Sequence, residues 1–397
     1  MANPYREIFK TKGTIAFSFF GLIARMPIAM LSISIIAMLN QFGYSYGDAS
    51  YVAAAYILSS AFISPQMARL ADLYGQNRII LSAGSVAAIS LSILVYAATQ
   101  KASLPMMMFW AVGGGFLPNF GAFVRTRWSN IYRKSKKLQT AFAFESIVDE
   151  IIFMIGPVIA LGLTTAYAPQ AGPLAAIAFL VFGSIAFLTQ TKTQPPIHKH
   201  LQKERSSVLR MSEIRLLALV LLAIGAIYGA CEITVFAFAK QLNQQTYTSI
   251  PLSAYALGSF ITGIIYGITS WKLSLPRRFF IIIIFAALTT LPLLCVTNLW
   301  NLSAVLFLAG ATCSPTIIIT MTLIENIVPP NKLTEGMSWA GTSMATGTSV
   351  SAALSGHLID QYGIMSGFYV GISAAILSLV FAFLGYNRLI KYNIVQE

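Results

Sequence analysis

The chain reads as an all-α membrane protein, twelve transmembrane helices in two six-helix bundles, and three observations lead there. Of its 397 residues 56% are hydrophobic and only 10% are charged, against roughly 25% charged in a soluble domain. A dozen apolar runs follow one another with short polar punctuation, each about 18 to 25 residues long and able to cross the roughly 30 Å hydrocarbon core as a helix. One connection differs from the rest: "QTKTQPPIHKHLQKERSSVLRMSEIR", Gln190 to Arg215, is long, Pro-broken and basic, and it leaves six runs on either side. The expected division is a first bundle over 1–190, a linker over 191–213 and a second bundle over 214–397.

The first run, 14–39, follows Arg6, Lys10 and Lys12 as the core of a signal peptide would. It is about 25 residues long and lacks a small-x-small cleavage site, so it is an uncleaved first helix. The second, 48–68, opens with Asp48, a carboxylate suited to the positive end of the helix dipole. After 78–99 comes 105–129, where "GGGFLPNFG" sets Pro118 and the polar Asn119 behind three glycines. A kink there either frees backbone carbonyls for a solute or bends the helix around one. The run 140–164 holds three acids, and 174–190 completes the first half. Beyond the linker, 214–239 carries Glu232, and 250–270 carries Gly263 and Gly267 at the GxxxG spacing of closely approaching helices. There follow 279–297, 302–324 ending at Glu325, 334–356 opening with Glu335 at another dipole position, and 364–386. Within the eleventh run "AGTSMATGTSVSAALSG", Ala340 to Gly356, suits tight packing or the lining of a polar cavity. The every-second-residue alternation of a membrane β-barrel is missing.

A net charge of +13 could suggest a nucleic-acid partner, so the placement of the basic residues decides. Nearly all that lie outside the runs, including Arg69, Lys136, Arg210, Arg277 and Lys332, fall on the side holding both termini and the linker. The other side keeps Lys101 and Lys240. That asymmetry is the positive-inside rule, with both termini cytoplasmic, and no nucleic acid is needed to explain it. Cys231, Cys295 and Cys313 fall inside runs as packing residues, and His198, His200 and His357 have no metal-ligand spacing. Trp110, Trp128, Trp271, Trp300 and Trp339 fall mostly near run ends, where an interfacial belt expects them. An enzyme constellation and a nucleotide-binding P-loop are both lacking, which argues against a lipid transferase and a primary pump.

Sliding the chain by 195 residues sets "KLQTAFAF" (Lys137 to Phe144) on "KLTEGMSW" (Lys332 to Trp339), and Gly115 on Gly310, the mark of a duplicated transporter. Between the second and third runs stands "ARLADLYGQNRII", Ala68 to Ile80, which resembles the cytoplasmic signature of the major facilitator superfamily. Leu70, Ala71, Asp72, Gly75 and Ile80 match. Ala68 replaces a glycine, Leu73 an arginine, and Gln76 and Asn77 an Arg-Lys pair, while Arg69 and Arg78 keep the loop basic. The resemblance implies that this loop gates the cytoplasmic side with Asp72 as the latch carboxylate. A second segment, "IGPVIALG" from Ile155, is similar to the Gly-Pro element of the superfamily's proton antiporters at Gly156, Pro157 and Gly162. By resemblance the chain is an efflux-type bacterial member, a monomeric inner-membrane carrier without cofactor or metal. It would exchange a small organic solute for protons, with proton symport as the alternative.

The acids of "FESIVDEIIFMIGP" carry the mechanism. Glu145 and Asp149 share a helix face and Glu150 sits about 100° further round. Each carboxyl near mid-membrane costs up to about 3 kcal/mol, so partners or water must stabilise them. Counting from the same membrane face puts Arg25 level with Asp149, and Arg125 level with Glu145. The expected pairs are therefore Arg25–Asp149 and Arg125–Glu145, in a cavity that Asn119 also lines. Arginine stays charged, so a proton must ride on an acid: Asp149 first, then Glu145, with Glu150 and Glu232 as further candidates. Permanent ion pairs that only fix packing are the competing account. Arg127 is expected to snorkel to the inner interface.

Overall fold

The computed structural model describes residues 4–133, 135–197, 206–244 and 247–392, except the side chains of Tyr46 and Tyr392. The histidine pair His198 and His200 lies outside the described residues. Before the linker the helices are α1 (Pro4–Ile8), α2 (Thr14–Gln41), α3 (Tyr46–Tyr74), α4 (Gln76–Thr99), α5 (Leu104–Gly114), α6 (Phe120–Tyr132), α7 (Lys136–Ala166) and α8 (Ala171–Leu188). After it come α9 (Ser212–Gln241), α10 (Ser249–Ile268), α11 (Leu275–Thr290), α12 (Leu299–Gly310), α13 (Cys313–Ile327), α14 (Leu333–Tyr362) and α15 (Met365–Leu389). Nine helical stretches among the described residues are long and apolar enough to cross a membrane, α12 and α13 counted as one. The more polar α3 and α14 and the broken pair α5 and α6 complete the twelve crossings.

Two of the expected crossings are interrupted, and at matching places. The fourth breaks after Gly114, because Pro118 has no N–H to continue the ladder and Asn119 restarts it, its Oδ1 accepting from the Ala122 N–H at 3.0 Å. The tenth breaks between Gly310 and Cys313. A Cβ on Gly115 would collide with Ser59 and the Ser60 backbone of α3, and one on Gly310 with the Tyr255 backbone of α10. Ser60 and Tyr255 are themselves 195 apart, so the same helix contact recurs in both halves at the offset of the repeat. The ninth crossing also ends earlier than expected as an α-helix: at Leu291–Cys295, with Pro292 inside, it tightens into a 3₁₀ turn. At the start of α3, Ser45 Oγ caps the first turn by accepting from the Asp48 N–H at 3.0 Å, and donates to the Asp48 carboxylate at 2.8 Å.

Helices α2 to α8 pack among themselves, as do α9 to α15, and the two groups meet along α3 with α14, α7 with α10 and α13, and α6 with α14. Within the second group α9 and α14 approach most closely, where a Cβ on Gly225 or Gly347 would strike the opposite backbone. The buried small residues of the eleventh run, Ala340, Ser343, Gly347, Ser351 and Ser355, thus serve packing. Hydrogen bonds between the groups cluster toward the end that bears the termini. Asp72 accepts from the backbone N–H groups of Thr334 (3.2 Å) and Glu335 (2.9 Å), the Ser64 and Ser338 hydroxyls lie 3.4 Å apart, and Gln139 donates to Tyr266 O at 2.9 Å. The deepest of them is Ser259 to Glu150, at 2.5 Å.

Candidate functional site: an arginine–carboxylate cluster

Three helices before the linker bring four charges together. Arg25 of α2 extends along its own helix, Nε donating to Gly21 O at 3.1 Å, and spreads its two terminal nitrogens between two acids. Nη2 meets Glu145 Oε2 at 2.5 Å and Nη1 meets Asp149 Oδ1 at 2.8 Å. Arg125 of α6 donates from Nη2 to Asp149 Oδ2 at 2.6 Å. The expected Arg25–Asp149 pair is present. Arg125, however, pairs with Asp149 and not with Glu145. Side chains tilt toward the N-terminus of their helix; α6 begins deep in the bundle, so Arg125 leans inward by about a turn, while Arg25, on a helix that begins at the basic end, leans back toward Glu145.

The two acids live in different surroundings. Glu145 has a 0% exposed side chain, and Ser18 Oγ and Trp128 Nε1 each donate to its Oε1 at 2.7 Å. Asp149 keeps 31% of its side chain exposed. Trp128 is therefore no interfacial residue: it is wholly buried, set against Phe17 at 4.8 Å between ring centroids, and serves as a hydrogen-bond donor. Neither Ser18 nor Trp128 stood out in the sequence, since a serine and a tryptophan in apolar runs have bland explanations. Arg125 Nε is buried and has no hydrogen-bond partner among the described residues.

Glu150 points away from the arginines, to the other helix group. Ser259 Oγ of α10 donates to it, and Ser259 in turn lies 2.9 Å from Ser314 Oγ of α13. Glu232 sits half-buried on α9, apart from the cluster and on the side of Tyr228. Asn119 does not join the cluster: its amide donates to Ser64 (3.2 Å) and Ser338 (2.9 Å), tying the two groups together. Arg127 corrects the snorkelling expectation. It is 0% exposed, donates to Gln76 Oε1 (2.9 Å), Gln190 O (2.8 Å) and Thr193 Oγ1 (2.9 Å), and lies over the Phe187 ring. Hydropathy marks its depth as interfacial, but the linker covers it.

At the terminus-bearing end, Asp72 lies four residues past the apolar run 48–68 and faces the first turn of α14. The two backbone N–H groups suit a carboxylate at a helix N-terminus, yet burial outweighs them and pushes the Asp72 carboxyl up to about 7. Arg69, Ser206, Lys332 and Glu335 share its cleft, while Arg78 points to the exterior. Gly75 joins α3 to α4 at φ 93°, a left-handed backbone that favours glycine. Glu335 does more than face a dipole: its Oε1 accepts from Ser207 Oγ at 2.5 Å and from the Val208 N–H at 3.2 Å, fastening the end of the linker. Gly156 lets α7 approach Ala29 of α2, and α7 runs on through Pro157. No cluster of His, Cys, Asp or Glu that could hold a metal occurs among the described residues.

A multi-pass helical protein of two packed groups, with ionic residues concentrated between its helices, has the architecture of a solute transporter. The Major Facilitator Superfamily profile matches residues 17–249 and 233–392, and the chain belongs to that family, whose members are transporters and not enzymes. Among solved structures it is similar to a bacterial homologue of the iron transporter ferroportin in its outward-facing state, at TM-score 0.76 and 12% identity over 95% of this chain and 100% of that one. It is also similar to the human organic anion transporter MFSD10 (TETRAN), at TM-score 0.71 and 13% identity over 96% and 99% of the two chains. The proton:xylose symporter XylE bound to 6-bromo-6-deoxy-D-glucose matches at TM-score 0.69 and 11% identity, over 95% of each chain. No curated protein matches significantly by sequence. At these identities the likeness is one of fold.

Proposed function

We propose that the chain is a proton-coupled secondary transporter that moves a small organic solute by alternating access, with Asp149 as the proton carrier. Two carboxylates one helical turn apart support this. Glu145 is sealed among three donors and serves as a fixed counter-charge. Asp149 is partly exposed and held only by guanidiniums, which remain charged throughout. A carboxylate that loses a guanidinium gains affinity for a proton, so relative movement of α2, α6 and α7 can load and unload it.

The bundles, 1–190 and 214–397 joined by the linker 191–213, rock about the cluster as one monomer in an inner membrane. The excess of basic residues on that side supports a cytoplasmic location for both termini and for the Asp72 latch. On that placement the present conformation is closed to the cytoplasm. Export by antiport agrees with the Gly156–Pro157 element and uptake by symport is its alternative; the charge of the solute separates them. The test uses proteoliposomes and a labelled solute chosen by thermal stabilisation. Asp149→Asn is expected to abolish accumulation driven by a proton gradient while leaving solute exchange. Intact proton-driven accumulation in that variant would sink the assignment.

A further inference from the structure

We infer that the solute is an organic anion that binds Arg25 and Arg125 together with a proton on Asp149, so that solute and proton travel the same way. This rests on Asp149 being the proton carrier. The cluster holds two guanidiniums and two carboxylates and is neutral as it stands. Protonation of Asp149 leaves it with one uncompensated positive charge in a buried setting, which is costly until an anion arrives. Glu145 cannot supply that charge, since Ser18, Trp128 and Arg25 already occupy it.

The donors for an anion are already arranged. Asp149 takes Nη2 of Arg125 and leaves Nε of the same guanidinium buried and unpartnered. Nε and Nη2 form one side of the guanidinium fork, the side that grips a carboxylate through two parallel hydrogen bonds. Asp149 uses half of it, and a solute carboxylate would use both halves. Nη1 of Arg25, released by the same protonation, gives a third donor. The charged groups that face Asp149 are Arg25 from α2 and Arg125 from α6, while Glu150, next along α7, turns its carboxyl to Ser259 of α10 and away from the two guanidiniums. A cationic solute would have to displace two guanidiniums from Asp149 and then sit beside both.

The test uses the purified full-length protein in detergent with acetate as the minimal carboxylate, and with acetamide and ethylammonium as neutral and cationic controls of similar size. Acetate is expected to raise the unfolding temperature, with an affinity that climbs up to about tenfold per pH unit as pH falls, and its addition to weakly buffered protein should draw protons from solution. Asp149→Asn, neutral at every pH, should bind acetate without pH dependence and without proton uptake. Arg125→Lys keeps the charge but loses the fork, and should weaken acetate at every pH. Stabilisation by ethylammonium in place of acetate, proton release on acetate binding, or no acetate effect in either wild type or Asp149→Asn would overturn the inference. Failure here alongside loss of proton-driven transport in Asp149→Asn removes only the anion. Proton-driven transport surviving that substitution removes the carrier assignment itself.

Discussion

Arg25 and Glu145 meet at 2.5 Å across α2 and α7 with side chains 4% and 0% exposed. Removing one partner of such a buried pair costs about 3–5 kcal/mol, because the survivor keeps its desolvated charge. Glu145→Gln should therefore lower the unfolding temperature in detergent markedly. Asp149→Asn strands the buried Arg125 and should also unfold earlier than wild type, but acetate should restore its stability, and not that of Glu145→Gln, while proton coupling is lost. Restoration of both variants by acetate, or of neither, would contradict the division of roles between the two acids.

The Ser64 and Ser338 hydroxyls lie 3.4 Å apart where α3 meets α14. Ser64→Cys combined with Ser338→Cys should form a disulfide on oxidation and stop transport, and a reductant should restore it. Cys295 is the exposed native thiol and is best replaced by serine first; Cys231 and Cys313 are buried. Transport that continues in the oxidised protein would mean that this end need not open.

The latch should respond to pH. Asp72 is raised to about 7 where it faces α14, whereas a solvated aspartate titrates at about 3.9. The closed state therefore binds the proton more readily than the open one. Closure is strengthened as pH falls from about 7 toward about 4, and weakened as pH rises through about 7. Spin-label distances between α3 and α14, followed against pH, should show this trend in wild type and lose it in Asp72→Asn. Closure that instead strengthens toward alkaline pH would refute it, and would give the lead to Arg69 and Lys332 in the same cleft.

Gly347 and Gly341 lie on the same helix but differ in surroundings. A Cβ at Gly347 would strike Leu222 O of α9, whereas one at Gly341 meets nothing within 4 Å. Gly347→Ala should destabilise by about 1–3 kcal/mol, the usual cost of overpacking, and Gly341→Ala should be tolerated. Detergent thermal unfolding of the two variants compares them directly.

The crossings were legible because each carries its own signal, a long apolar run that any partner leaves intact. The breaks in the fourth and tenth were half-legible: Pro118 announced one, whereas the other follows from backbone packing of Gly310 on Tyr255, which no local pattern records. Arg25–Asp149 could be found by counting depth because α2 and α7 both start at the same end. The same count misassigned Arg125, whose helix runs the other way and aims its side chain a turn deeper. Arg127 was misjudged for a different reason. Its partners Gln76, Gln190 and Thr193 are remote in the chain, so depth alone could not tell a covered guanidinium from a wet one.

Arg127 grips the linker at Gln190 and Thr193, and Glu335 grips it again at Ser207 and Val208. The linker is thus moored once to each half of the molecule, by Arg127 of α6 and by Glu335 of α14, so cutting either mooring should change how the halves move against one another and leave the charges inside in place.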